Sequence, residues 1–423
     1  MENVKVEVFE VERMRKEIDN YIEHIIICHE KNDFEMMKEE SISLLFWGSQ
    51  MIEVNNTIRQ RDVILAIIES LIHRIYEKPD MYVDFFDAKM YGELGKLAFS
   101  FREIKKRTGK LKDSSEFLNR LLLRNAYQKI IRFQPDKIMF DTYDILGGIA
   151  GVTYYLLDCP EILEKPDENQ KVRELVCFLV YLSEDYIYQG KEILRYHIRR
   201  KQQWLKWERS HMKRGHINFG TAHGIIGPLV ALSKARKLNI LEENQNYAIE
   251  KLIGLYENFC VEENGILRYP RRLAIEDYIK GRKTDLTENS GWCYGNLSII
   301  RALMKVAWYS GNKEKYQYYL DKFVAIIEQP IEAYRLNSPI VCHGYGSVVS
   351  LQIYAFLESG DGRCLANLER NLEVLLNEHQ IKMVRDTEYK MDLSLLEGSA
   401  GTVLSMQNCI TRNLTYGKLL LMD

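Results

Sequence analysis

Along most of the chain, apolar positions recur with a 3.6-residue period, the pattern of helices that bury one face. In EFLNRLLLRNAYQKIIRF (116–133), Leu118, Leu121, Leu122, Ala126, Ile130 and Ile131 fall on one stripe. KVRELVCFLVYLSEDYIY (171–188) and NYAIEKLIGLYENF (246–259) read the same way. Strand signals are few: ENGILRYP (263–270) reads as a short extended piece after a turn at Asn264-Gly265. Segments 158–170 and 276–291 are polar and marked by glycine or proline, so they read as loops or excursions. The pattern predicts a nearly all-α protein with a small irregular or β insert. Composition agrees, with 8 prolines in 423 residues, since proline is what helix interiors tolerate least.

Within this helical pattern one phrase recurs, a short loop with paired small residues that opens an apolar helix. Its copies are YGELGKLAFSF (91–101), LGGIAGVTYYLL (146–157), AHGIIGPLVAL (222–232), CYGNLSIIRALM (293–304), CHGYGSVVSLQIYAF (342–356) and EGSAGTVLSM (397–406). The anchor glycines are Gly92, Gly148, Gly224, Gly295, Gly344 and Gly398, spaced 49 to 76 residues apart. That spacing holds two helices and their connections per unit, with longer inserts in places. A closed ring of helix pairs would bring every loop to one end of an axis, whereas a linear solenoid would line them along an edge. The repeats alone are compatible with both.

Just before the anchors stand Tyr91, Gly147, His223, Tyr294, His343 and Glu397, and one step further back Leu146, Ala222, Cys293, Cys342 and Leu396. Two cysteines and two histidines thus occupy equivalent points of three repeats. Cys293, Cys342 and His343 offer two thiolates and one imidazole, a set suited to tetrahedral zinc with an open fourth position. The competing reading makes the cysteines small buried hydrophobes and His343 a helix-start residue. Adjacent Cys342 and His343 do not follow the usual CxxC spacing, so the residues by themselves leave both readings open.

The charge balance, 58 basic against 60 acidic residues, argues against a nucleic-acid binder. The first 32 residues are charged throughout and lack the apolar core of a signal peptide. No apolar run approaches the roughly 18 residues of a membrane span. The expectation is a soluble cytoplasmic protein whose eight cysteines are thiols or metal ligands rather than a disulfide framework.

NFGTAHGIIG (218–227), GWCYG (291–295), VCHGYGS (341–347) and LLEGSAG (395–401) resemble the corresponding phrases of the lanthipeptide cyclases, the LanC family, from about residue 85 to the C-terminus. The resemblance implies an α/α toroid, here a single domain over 1–423 with insert segments near 158–216 and 258–290. It implies one zinc ion on Cys293, Cys342 and His343, and thioether closure in a lantibiotic precursor carrying dehydroalanine or dehydrobutyrine. By the same resemblance His223 is the catalytic histidine, a general acid, and Asp144 its orienting partner. Tyr294, beside the zinc cysteine, is positioned to donate to a developing oxyanion, or else is a packing aromatic. The implied partners are the dehydrated precursor peptide, a dehydratase and an exporter at the membrane.

Two departures from the family pattern bear on this. Asn289 stands where the family often has arginine, with Arg282 and Lys283 nearby in sequence, and Asn296, Leu297 and Ser298 replace a usual Pro-Gly. The basic stretch 191–216, with Trp204 and Trp207, reads as a solvated helix face or as a docking face for a leader peptide or partner enzyme. Glu397 reads as facing the central cavity or as a carboxylate at a helix N-terminus. Two further functions stand beside the cyclase: a LanC-like enzyme adding glutathione to dehydroamino acids, and a non-catalytic zinc-containing peptide scaffold. A glycosidase would want paired carboxylates where this chain offers thiols and imidazoles.

Overall fold

The computed structural model describes residues 8–30, 40–52 and 58–423. Among the described residues, seven inner helices form a ring: Ser41–Met51, Glu93–Thr108, Ile149–Leu156, Ile226–Lys237, Asn296–Tyr309, Tyr345–Ser359 and Ser399–Thr411. Each packs on an outer helix, respectively Ile58–Glu77, Lys112–Ile131, Pro166–Leu182, Gln245–Phe259, Lys313–Ile327, Leu368–Arg385 and Val8–Glu30. The last pair joins the two ends of the chain, and Ser41–Met51 touches both Glu93–Thr108 and Ser399–Thr411. The repeats therefore close into an α/α toroid rather than extend as a solenoid.

The two layers differ in sequence because they differ in surroundings. An inner helix has neighbours on most sides, so most of its length is buried; every residue of Ile149–Leu156 is buried. An outer helix buries one stripe. In Lys112–Ile131, Leu118, Leu121, Leu122 and Ala126 are buried, as the period predicts. Ile131 departs from that prediction: it is the last helical residue, beyond the packed stripe, and is exposed.

Five anchor glycines, Gly92, Gly148, Gly295, Gly344 and Gly398, immediately precede the first helical residue. Gly224 lies one residue further from its helix, which starts at Ile226. The loop folds back on its own helix start. A Cβ at Gly295 would lie 1.9 Å from the Gly291 carbonyl oxygen, and one at Gly344 2.2 Å from that of Ser338. Only glycine allows so close an approach. The same loops hydrogen-bond to one another in sequence around the ring. Ala222 N–H donates to Cys293 O (3.2 Å), Cys293 N–H to Cys342 O (3.0 Å) and Cys342 N–H to Leu396 O (2.8 Å). Leu396 N–H then donates to Tyr91 Oη at 3.1 Å, and Tyr91 N–H to Leu146 O at 2.9 Å.

Among the described residues, three two-stranded antiparallel sheets decorate the ring. Val261–Glu263 and Ile266–Arg268 form the hairpin expected at Asn264-Gly265, whose residues take φ of 52° and 80°. Asp185–Tyr188 pairs with Lys191–Leu194. His216–Asn218 pairs with Arg272–Ala274, with Asn218 opposite Arg272. Two segments read as loops are partly helical: 158–170 holds Pro160–Leu163 and the first turn of Pro166–Leu182, and 276–291 opens within Ile275–Lys280. Proline is tolerated there because the first helical N–H has no partner to lose. The basic stretch is not one helix face either. It passes through a strand, a 3₁₀ turn Arg200–Gln202 and the short helix Lys206–His211.

The C-terminal residues pack into the middle of the ring. Tyr416 Oη meets Ser350 Oγ at 2.7 Å, and Leu420 O accepts from Trp292 Nε1 at 2.8 Å. No described helix is long and apolar enough to cross a membrane.

Candidate active site

The residues singled out at the repeat positions gather at the loop end of the ring. His223 precedes the helix Ile226–Lys237, and its Nδ1 lies 2.6 Å from Asp144 Oδ2. Asp144 is fully buried; its Oδ1 accepts the N–H groups of Gly147 and Gly148 at 2.7 and 2.8 Å. Burial pushes this carboxyl up, while His223 and the two glycine N–H groups pull it down, with a net upward shift. The glycine phrase thus does two things for Asp144: it turns the chain into the next helix and supplies two donors that fix the carboxylate. With Nδ1 committed to Asp144, His223 keeps Nε2 for other chemistry.

His223 lies against Phe140 (ring centroids 4.5 Å apart), and Phe140 stacks on the exposed Trp204 at 5.5 Å. These three, with Cys293, Tyr294 and Arg272, line a pocket of about 220 Å³. A larger cavity, about 680 Å³, lies elsewhere, between apolar groups such as Phe85, Phe101 and Leu121. It holds none of the thiols or imidazoles read as functional.

Cys293 and Cys342 stand just ahead of the inner helices Asn296–Tyr309 and Tyr345–Ser359, whose N-terminal dipole ends favour thiolates. The Cys342 sulfur neighbours the Cys293 sulfur and lies within 4.8 Å of a His343 ring nitrogen. The contact with Cys293, then burial, pushes the Cys342 thiol well up, and the contact with Cys342 raises His343. Both causes disfavour the Cys342 thiolate, and a bound cation would offset them. Two thiolates and an imidazole are donors that suit zinc. The residues therefore fit the ion that the resemblance implies. Among the described residues, Cys342, His343 and Glu397 form the set whose ligand atoms all lie within 4.8 Å of one another, and Cys293 is not part of it. Glu397 lies beside the Cys342 sulfur and the His343 ring, and it also stands directly before Gly398, the cap of the helix Ser399–Thr411.

Sequence reasoning missed Phe140 and Arg272, which no motif marks, and noticed Trp204 only as part of a basic stretch. The cations it considered are engaged away from the pocket: Arg282 binds Asp277, and Lys283 Nζ donates to the Cys260 carbonyl at 2.8 Å. Asn289 accepts the N–H of Gly291 at 3.2 Å. Three histidines outside the repeat positions are held structurally: His197 by Tyr186 and the Arg214 carbonyl, His216 by Gln203, and His379 by Tyr389.

Known proteins resemble this chain in sequence and in fold. The nisin biosynthesis protein NisC of Lactococcus lactis subsp. lactis is 25% identical over 294 residues, covering 66% of this chain and 67% of that protein. The solved structure of a nisin cyclase matches with a TM-score of 0.79 over 96% of this chain and 98% of that one, at 19% identity, a likeness of fold. Residues 40–416 match the family described as lanthionine synthetase C-like protein. With a match over that much of its length, the chain belongs to the lanthionine synthetase C-like family.

Proposed function

We propose that this protein is a zinc-dependent lanthionine cyclase, joining cysteine thiols of a ribosomally made precursor peptide to dehydroalanine or dehydrobutyrine residues installed by a dehydratase. The observation that carries this reading is that His223, bonded to the buried Asp144, and Cys293, beside Cys342, line one pocket. The relatives named for nisin biosynthesis and nisin cyclisation support it.

The chemistry sets three demands. A substrate sulfur must attack the β-carbon, the displaced π electrons must settle on the carbonyl oxygen, and the α-carbon must then take a proton. A free cysteine of pKa near 8.5 is only about 3% thiolate at pH 7. Zinc held by Cys293, Cys342 and His343 would keep the incoming thiol ionised. His223, which lines the pocket and has Nδ1 committed to Asp144, delivers the α-carbon proton from Nε2. Asp144 fixes the imidazole orientation and stabilises its protonated form. Tyr294 donates a hydrogen bond to the oxygen that gains charge. The proton lost by the thiol equals the one gained at carbon, so ring closure leaves the peptide mass unchanged.

That balance defines the test. The zinc-loaded protein, given a dehydrated peptide with a free cysteine and supplied with glutathione, is expected to remove the alkylatable thiol at constant mass. Retention of the thiol, or a mass gain of one glutathione, contradicts the reading.

A further inference from the structure

Among the described residues, Arg272 is the only lysine or arginine lining the pocket. It opens the strand Arg272–Ala274 and lies directly opposite Asn218 in the pair with His216–Asn218. Opposed residues on such a pair share a face, and both side chains reach the Tyr294 hydroxyl. Asn218 Nδ2 donates to it at 3.0 Å and Arg272 Nη2 at 2.8 Å. The guanidinium also lies 4.5 Å from the centre of the Tyr294 ring.

Arg272 is itself held. Its Nε is 2.7 Å from Glu208 Oε1, and the Glu208 side chain is 5% exposed. The other Glu208 oxygen accepts the Leu205 N–H at 3.1 Å, at the start of the helix Lys206–His211. One carboxylate thus caps the short helix of the basic excursion and fixes the pocket's cation.

A phenol oxygen has two lone pairs and one proton. Here two N–H donors occupy both lone pairs, and among the described residues nothing accepts the proton. The hydroxyl is left able only to donate. Donation is what a carbonyl oxygen gaining negative charge requires.

We propose that Arg272, anchored by Glu208, is a positioning residue that holds Tyr294 as an obligate hydrogen-bond donor toward the substrate carbonyl, an inference that rests on the cyclase reading. Cationic support for the oxyanion thus comes from the excursion and its partner strand, at a place in the chain unrelated to Asn289.

The test compares Arg272→Gln, Arg272→Lys, Tyr294→Phe and the Arg272→Gln/Tyr294→Phe double variant as zinc-loaded proteins, reading ring-closure kinetics, zinc content and melting temperature. Tyr294→Phe is expected to lower kcat by about 100-fold. Arg272→Gln should lower kcat by about 10- to 100-fold with KM within about twofold, because it acts through the same donor. The double variant should be no slower than Tyr294→Phe alone. Arg272→Lys should recover part of the rate, since an ammonium can reach the phenol oxygen without the guanidinium fork. Glu208→Gln, which keeps the side-chain shape, should give a smaller loss of the same kind and serves if Arg272→Gln does not fold. Losses that multiply in the double variant, an effect confined to KM or melting temperature, or an unimpaired Tyr294→Phe overturn the proposal. A zinc-loaded parent that closes no ring overturns the cyclase reading, and the inference with it.

Discussion

Two polar clusters occupy the same ring of helices and are built on opposite terms. Around the C-terminal residues, Arg301 is fully buried and donates through both Nη atoms to Glu358 at 2.8 and 2.9 Å, and through Nε to the Met422 carbonyl at 3.0 Å. Lys305 joins the same group, facing Glu358 and Asp423. Every one of these charges has a partner and little contact with water. At the loop end, His223, Cys293, His343 and Glu397 are partly or fully open to solvent. Two sulfurs crowd each other there, and His223 has committed only one nitrogen. Sealed, paired charges hold a fold together, while oriented groups with capacity left over are available for chemistry.

The most severe way to break this contrast is Arg301→Met. It leaves Glu358 buried without its main partner, and should cost about 3–5 kcal/mol of stability by urea unfolding. The molecules that remain folded should cyclise at the parental rate. A loss of activity with unchanged stability would erase the division between the clusters.

His223→Asn probes the other side. It should slow ring closure by about 10²- to 10⁴-fold, with stability changed by no more than about 1 kcal/mol. Kinetics and unfolding measured on one preparation separate the two effects.

Acid should act on the sealed regions first. Burial holds His197 and His379 neutral and lowers each pKa to about 4. The unfolded chain takes up these protons near pH 6.5, before the native state does. Their contribution to stability is therefore full above pH 6.5 and lost as pH falls toward 4, by up to about 3 kcal/mol each. Unfolding curves across that window should show the decline, and His379→Gln should flatten it.

Trp204→Ala should have the smallest effect. It removes an exposed ring stacked on Phe140, worth about 0.5–1.5 kcal/mol. The expected result is a KM raised by up to about tenfold, with melting temperature almost unchanged.

Much of this architecture was legible in the chain. The glycine anchors located six inner helices because close approach of loop to helix admits no Cβ. The seventh, Ser41–Met51, lacks such a loop phrase, and its run of apolar and small uncharged residues marks burial without marking a place in the ring. Closure was not legible because the last hairpin pairs Ser399–Thr411 with Val8–Glu30 from the far end of the sequence. At the site, shared register exposed Cys293, Cys342, His223 and His343, while the assignment of Asp144 rested on resemblance alone. Arg272 stayed hidden because it reaches Tyr294 through a three-residue strand pair, too short to leave a period. Trp204 was noticed, but read as part of a basic surface. Only the folded excursion brings it over Phe140 and His223.

The central claim is that the loop end assembles a zinc–thiolate site, and metal content tests it most directly. The purified protein, reconstituted with zinc under reducing conditions, should hold about one ion per chain, as a three-ligand catalytic site does. Cys342→Ala, with its helical circular dichroism retained, should lose most of it. No zinc in the parent, or full zinc in a folded Cys342→Ala, would contradict the account.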